Sequence, residues 1–337
     1  MMRLKRKTLF FVLLVLYCIL AIGAISVGAA NIKPCEVFME ILKYIPIIGK
    51  HIDTVPSDTN FLIVFMVRMP RIIMASIVGM GLAVVGTSFQ SLFKNPMADP
   101  YVLGISGGAA LGAALAITVH LPAAPFAFIG AVTTTIMVYL IVQVRSKTAT
   151  IYLLLVGSAI GFLTSALISI IMVFNQEHAS RIIFWMMGSF NASSWENIYI
   201  TAPVVFVGTM IISFLYRDLN LMLVGEETAK SLGVETEKLK KGVIIIASMM
   251  IAVCVSFSGI IGFVGFLVPH MARIIVGPNN KVLIPFSALG GAIFLLLSDT
   301  LGRTIAAPGE LPVGAVTALI GSPYFIYLLI KMKRRSG

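Results

Sequence analysis

The sequence predicts an all-α integral membrane protein of about ten transmembrane helices, forming a single transmembrane domain over residues 1–337. Three observations lead there. Hydrophobic residues make up 58% of the chain and charged residues only 12%, against about half and about a quarter in soluble domains. Mean hydropathy is +1.00. Apolar runs close to the roughly 20 residues that cross a bilayer recur along the whole length. Basic residues gather between these runs and at both ends, in "MMRLKRK" and "KMKRRSG".

In chain order the spans read 8–29, 61–88, 102–121, 124–143, 150–173, 197–215, 242–260, 262–276, 283–302 and 311–331. The eighth is short and the breaks at 121–125 and 260–262 are tight, so nine is the alternative count. The first run has the basic start of a signal peptide and ends near "VGAA", but it is longer than the usual 7–15-residue apolar core. A retained first span is therefore expected.

Span two poses a question. Its stretch "FLIVFMVRMPRIIMASIVGMGLAVV" (61–85) contains Arg68 and Arg71 on either side of Pro70. One guanidinium at the centre of a spanning helix costs at least about 2.5–3.5 kcal/mol. The pair is therefore expected near an outer mouth, on one helical face by its three-residue spacing, with side chains snorkelling toward solvent or phosphate.

Charge sets the expected topology. With ten spans and both termini inside, most of the 25 Lys and Arg fall on inner segments, as cytoplasmic retention of positive charge requires. A cell-membrane, multi-pass protein with cytoplasmic termini follows. The net charge of +11 is spent on this asymmetry and does not point to nucleic acid. The largest inner segment, "RDLNLMLVGEETAKSLGVETEKLKKG" (217–242), is too polar to insert. It reads as two short helices, "GEETAKSLG" and "VETEKLKKG", punctuated by Gly225, Gly233 and Gly242. Its Leu and Ala side chains offer a small apolar face for a partner's groove, with a solvated connector as the plainer alternative. Gly86 to Pro96 and Gly259 to Pro269 share one spacing. They suggest an inverted pseudo-repeat of spans 2–5 and 7–10, a common transporter design.

Several chemistries are missing. No G-x-x-x-x-G-K-[ST] cradle occurs, so a nucleotide would bind another chain. Of the 14 acidic residues only Asp299 lies well inside a span. Arg303 four residues on can neutralise it, which argues against an ion or proton relay. Cys18, Cys35 and Cys254 form neither a disulfide framework nor a metal pair, and no cofactor pattern is present. "GISGG" (104–108) satisfies G-x-S-x-G, so an intramembrane serine hydrolase using Ser106 is the rival from another class. It needs a histidine within reach, and none of the four has an obvious setting for it. Gly104, Gly107, Gly108 and Gly112 also read as small residues that let helices pack closely.

The segment "RMPRIIMASIVGMGLAVVGTSFQSLFKNPMADPYVLGISGGAALGA" (68–113) resembles the FecCD family, the permease subunits of ABC importers for iron-siderophores, haem and cobalamin. "GIIGFVGFLVPHMARIIVG" (259–277), "DTLGR" (299–303) and "ELPVGAVTALIGSPYFIYLL" (310–329) extend the likeness over almost the whole chain. Segment 31–60 carries no family-like signature.

The resemblance implies the type II importer permease fold, a second copy of the chain or a homologous permease as partner, a cytoplasmic ABC ATPase and an extracytoplasmic binding protein. It implies that Arg68, Arg71 and Arg303 dock carboxylates of that binding protein. Gly225, Glu226, Ala229, Leu232 and Gly233 become the centre of the ATPase coupling element. Thr148 and Thr150, beside "SKTAT", become the cytoplasmic gate. Gly157, Gly161, Gly314 and Gly321 would line the conduit or else simply pack helices. The implied activity is alternating-access import of an iron-siderophore-type chelate, with haem or cobalamin as alternative cargo. No bond in the cargo is broken, so the chain is a transport subunit and not an enzyme.

Overall fold

Helices follow the apolar runs. The computed structural model describes residues 2–28, 61–143, 149–307 and 309–336. Its helices are α1 (Met2–Ser26), α2 (Leu62–Leu92), α3 (Ile105–Thr118), α4 (Ala123–Gln143), α5 (Ala149–Phe174), α6 (Gln176–Met186), α7 (Trp195–Phe214), α8 (Tyr216–Val224), α9 (Glu226–Ser231), α10 (Thr236–Ser258), α11 (Val264–Val276), α12 (Asn280–Ile305) and α13 (Val313–Ser336). Within the described residues seven are long and apolar enough to cross a membrane. The shorter apolar helices α3, α11 and α13 complete the ten expected spans.

At its start, α2 is not an ordinary helix. Leu62–Arg68 is a π turn, in which the Met69 N–H bonds to Val64 O, and it leads into Pro70. Proline removes a backbone donor and crowds the preceding turn; one wider turn relieves that conflict. Beyond it α2 is the central post, buried along most of its length. It packs most extensively against α12. There Gly79 and Gly291 face each other so closely that a Cβ on either would collide with the other's carbonyl oxygen. Lipid gives no hydrophobic drive for helices to associate, so such close backbone contact carries the packing.

α3 and α11 begin later than expected because the backbone ahead of each leaves the helix. Asp99 accepts the Tyr101 N–H at 2.8 Å and caps a 3-10 turn, Pro100–Leu103. Gly104, in the left-handed region at φ +71°, ends that turn and starts α3. Phe263, at φ +69°, does the same for α11, a conformation that costs a non-glycine residue roughly 1–2 kcal/mol. Irregular backbone inside a membrane protein needs internal partners. Tyr101 supplies two: its hydroxyl donates to Ile261 O at 3.1 Å and accepts the Ile261 N–H at 3.3 Å.

The two halves pack alike. α2 lies on α12 as α10 lies on α4, and α2 touches α11 as α10 touches α3. The glycine–proline register that suggested the repeat is not the one realised. Gly86 lies inside α2, against the carbonyl of Gly265, and Pro269 lies inside α11. The matching features are instead Gly104 and Phe263.

Two connectors also differ from expectation. Residues 176–186 form α6, whose His178 and Ile182 are buried while Phe184 is exposed. Such one-sided burial gives a short helix lying on the bundle. "GEETAKSLG" forms α9, but "VETEKLKKG" runs straight into α10. Gly242 sits inside that helix with open space around it.

Gly79→Val should lower the thermal midpoint of the purified protein and its yield, overpacking typically costing about 1–3 kcal/mol. Gly161→Ala, where a Cβ meets nothing within 4 Å, should leave both unchanged. Thermal unfolding in detergent checks the pair.

Candidate functional site

The three arginines singled out in the sequence come together. They do not snorkel: Arg68, Arg71 and Arg303 are 4%, 7% and 5% exposed. The wider π turn and the helix that follows aim Arg68 and Arg71 inward. Arg71 binds Asp299 with Nε (3.1 and 3.0 Å) and Nη2 (2.9 Å). Its Nη1 donates to Glu310 Oε2 at 2.9 Å and to Asn191 Oδ1. Asp299 also faces Arg303 Nε at 3.3 Å, the pairing expected along one helix.

Arg68 and Arg303 serve a second purpose. Arg68 Nη1 donates to the carbonyls of Ile25 (2.7 Å) and Ser26 (3.2 Å). Arg303 donates to those of Val27 (3.0 Å) and Ala24 (3.2 Å). The last carbonyls of a helix have no partners within it, and basic side chains there also suit its dipole. Two guanidinium groups thus fasten the end of α1 to α2 and α12. Hydrogen bonds from a charged donor are the stronger kind, each worth about 1.5–3 kcal/mol.

The cluster connects to a cavity. Asn191 closes a turn after α6 in which Ser189 N–H donates to Ser258 O at 2.8 Å. Val313 and Gly314 donate to Gly188 O and Met187 O, both at 3.1 Å. Met186 and Ile260, at the two sides of that seam, wall a cavity of about 510 Å³ between α3 and α5. The rest of its wall is neutral, with Ser106, Gly157, Ser158, Gly161, Thr164 and Tyr101 among the lining residues. Of the four glycines expected along the conduit, Gly157 and Gly161 line this cavity. Gly314 packs against the carbonyl of Met187 and Gly321 against the ring of Phe263, so both are packing positions.

At the far end of α2 lies the polar connector. Lys94 Nζ donates to Val224 O at 2.9 Å, and Asn220 pairs with Asn279 and Asn280. Gly225 (φ +156°) and Gly233 (φ +87°) bracket α9. Ala229 is fully buried and anchors α9, while Leu232 is 62% and Val224 61% exposed. Val224, not named from the sequence, is thus part of the apolar face and Ala229 is not. Glu226 binds Lys240 Nζ at 2.7 Å and Lys230 Nζ at 3.2 Å. Burial opposes its ionisation, but these two lysines outweigh that and hold the carboxyl below its ordinary range. Thr148 lies outside the described residues, and of Thr150 only the backbone, in the first turn of α5, is described.

Residues 13–331 match the FecCD transport family. The chain belongs to that family. It is 42% identical over 276 residues to the cobalamin import system permease BtuC of Halobacterium salinarum, covering 81% of this chain and 74% of that one. It is 34% identical to the hemin transport system permease HmuU of Yersinia pestis, covering 99% of each. Other relatives are named for Fe(3+)-citrate and molybdate import. A solved inward-facing metal-chelate type ABC transporter shares the fold, with a TM-score of 0.84 and 31% identity over 96% of this chain and 99% of that one.

This FecCD protein is therefore an ABC importer permease, a multi-pass membrane component that works with an ATPase and a binding protein and is not itself an enzyme. Ser106 lines the cavity, and among the described residues no histidine shares that lining. His120 and His178 instead stack edge-on at 4.9 Å, and His270 lies beside Phe266 and Tyr324. Sequence reasoning missed Glu310 and Asn191. Glu310 stood in a quoted motif, but nothing in the spacing pointed it at Arg71, 239 residues away.

Asp299→Asn should lower stability by about 3–5 kcal/mol, because Arg71 and Arg303 stay buried without their carboxylate. Denaturation of the detergent-solubilised permease measures this. Glu226 has a lowered folded value, so its stabilisation is complete above about pH 4.5 and fades as pH falls through that lower value. Protection of the α9 amides, measured as the exchange rate relative to the intrinsic rate at each pH, should fall on acidification in the parent protein, and be low and unchanged with pH in Glu226→Gln.

Proposed function

We propose that this permease passes a bulky iron chelate of the ferric-siderophore type into the cytoplasm by alternating access, as half of a homodimer. The cavity carries the reading. Its wall of glycines, hydroxyls and aliphatic groups offers a large chelate room and weak hydrogen bonds without a charge that would trap it. Selection then rests with the binding protein. α5 leaves Phe162, next to the lining residue Gly161, 78% exposed; a second copy on this face would enclose the path.

In this reading both termini and α8–α9 face the cytoplasm. The ATPase receives the exposed Leu232 and Val224, with Gly225, Glu226 and Gly233 shaping the element and Ala229 tying it to the bundle. Thr148 and Thr150 belong to the inner gate. The opposite end meets the binding protein, whose carboxylates address Arg68, Arg71 and Arg303. Because these guanidinium groups already hold internal acceptors, docking is an exchange of carboxylates, with Glu310, one-third exposed at its side chain, as the displaceable partner. Complementary charge sets the speed and register of such docking. The turn at Asn191 then links the exchange to Met186 and Ile260.

Cobalamin is the second reading, favoured by the 42% identity to a cobalamin permease. The permease, reconstituted in proteoliposomes with its ATPase and binding protein, should take up radiolabelled ferric siderophore in an ATP-dependent manner. Uptake of labelled cobalamin with no iron accumulation would replace the cargo, and uptake of neither would remove the chelate reading. Arg71→Lys keeps the charge but loses the fork. It should weaken binding-protein affinity while assembly with the ATPase persists; unchanged affinity would end the docking role.

A further inference from the structure

At the end of the bundle that carries α8 and α9, two basic side chains from separate parts of the chain share one aromatic ring, and a third reaches the turn before α12. Tyr216 opens α8. Arg217 Nε donates to its hydroxyl at 3.0 Å, and the guanidinium carbon lies 5.7 Å from the ring centroid. Lys281, in the first turn of α12, places its ammonium 5.5 Å from the same ring. Arg6 of α1 reaches the turn just before α12, its Nη2 lying 3.6 Å from where a Cβ on Gly277 would stand. The start of α1 is fixed there by Phe10, whose ring meets Phe286 edge-on at 5.3 Å, and by packing of Leu9 and Leu13 on Val276 and Leu283.

Charges close by are neutralised, and these are not. Lys230 and Lys240 bind Glu226, Lys238 binds Glu235 at 2.6 Å, and Lys240 also meets Glu237. Among the described residues Arg6, Arg217 and Lys281 make no ion pair, and Asp218, the acid next to Arg217, pairs with none of them. Cytoplasmic retention of positive charge explains why such residues occur at this end. It does not explain why residues 217 and 281 share one aromatic ring, with residue 6 at the turn just before α12. Like charges brought together by folding repel, and the arrangement is relieved by an anion that takes several donors at once. Guanidinium forks match a phosphate, and a basic pocket between helices at a membrane surface suits a lipid head group. The outer face of α1 supplies the apolar side, with Phe11 65% and Val15 42% exposed.

We propose that Arg6, Arg217 and Lys281 form a binding site for the phosphate of an acidic phospholipid head group, seated between α1, α8 and the start of α12. A lipid held there joins the first helix to the segment leading into α9. It would steady the connector against the bundle at the place where force from a partner enters.

The test uses the full-length permease assembled with its ATPase in nanodiscs of mixed phosphatidylcholine and phosphatidylglycerol, with bound lipid counted by native mass spectrometry. The parent complex should retain phosphatidylglycerol. Arg217→Gln and Lys281→Gln should each weaken retention about fivefold, the effect of roughly one base near an anionic surface. Lys238→Gln removes the same charge from a lysine already paired with Glu235, and it should change nothing. Equal retention by the parent and the Arg217→Gln/Lys281→Gln variant would overturn the site. So would an equal loss with Lys238→Gln, which would mean diffuse surface attraction. Adding inorganic phosphate separates the two sources of the anion: displacement of lipid at millimolar phosphate would assign the site to a free anion and overturn the lipid reading. Thermal melting of each variant shows whether it is folded.

Discussion

The contact between Arg71 and Asp299 holds the architecture in its present form. It joins the central post α2 to α12 across 228 residues of sequence, inside a bundle where an unpaired charge is far costlier than in water. Every neighbour of the pair is recruited to complete it. Glu310 and Asn191 take the remaining guanidinium donors, and Arg303 shares the carboxylate. Arg303 and Arg68 then turn outward only as far as the end carbonyls of α1. The end of a peripheral helix is thereby fixed by hydrogen bonds to a charged centre.

The same economy appears halfway along the molecule, where two irregular segments interrupt the helices. Their backbone groups would be stranded in lipid. They are instead folded against one another, with Tyr101 bridging to Ile261 and Gly188 closing against Ile260. Because α3 and α11 start here and not at a surface, both are short, and the cavity lies beside the start of α3. A wall made where two repeats meet can change shape when the repeats move. That is the property a permease needs, and the neutral lining leaves no charge to hold a passing solute.

The connector α8–α9 is built on the opposite logic. It is held by few buried groups, chiefly Ala229, Leu219 and Met222, and by polar ties from Lys94, Asn220 and Lys240. Its apolar tips stay outside. Such an element can transmit a push without being part of the core, since its ties to α2, α10 and α12 are directional.

The family resemblance joined the three arginines into one group; composition and periodicity alone determined the membrane class, the ten runs, the position of the polar connector, the odd placing of Arg68 and Arg71 and the pairing of Asp299 with Arg303. These are local properties: twenty apolar residues in a row, or a guanidinium inside such a run, carry their physical cost wherever they occur. Tertiary structure alone decided which way the arginines point, which acid answers each, which glycines line space and which fill it, and that α3 and α11 begin deep in the bundle. These depend on partners far apart in the chain. Glu310 cannot be assigned to Arg71, nor Arg6 to the turn at Gly277, by any spacing along the sequence, because what brings them together is the packing of largely apolar helices.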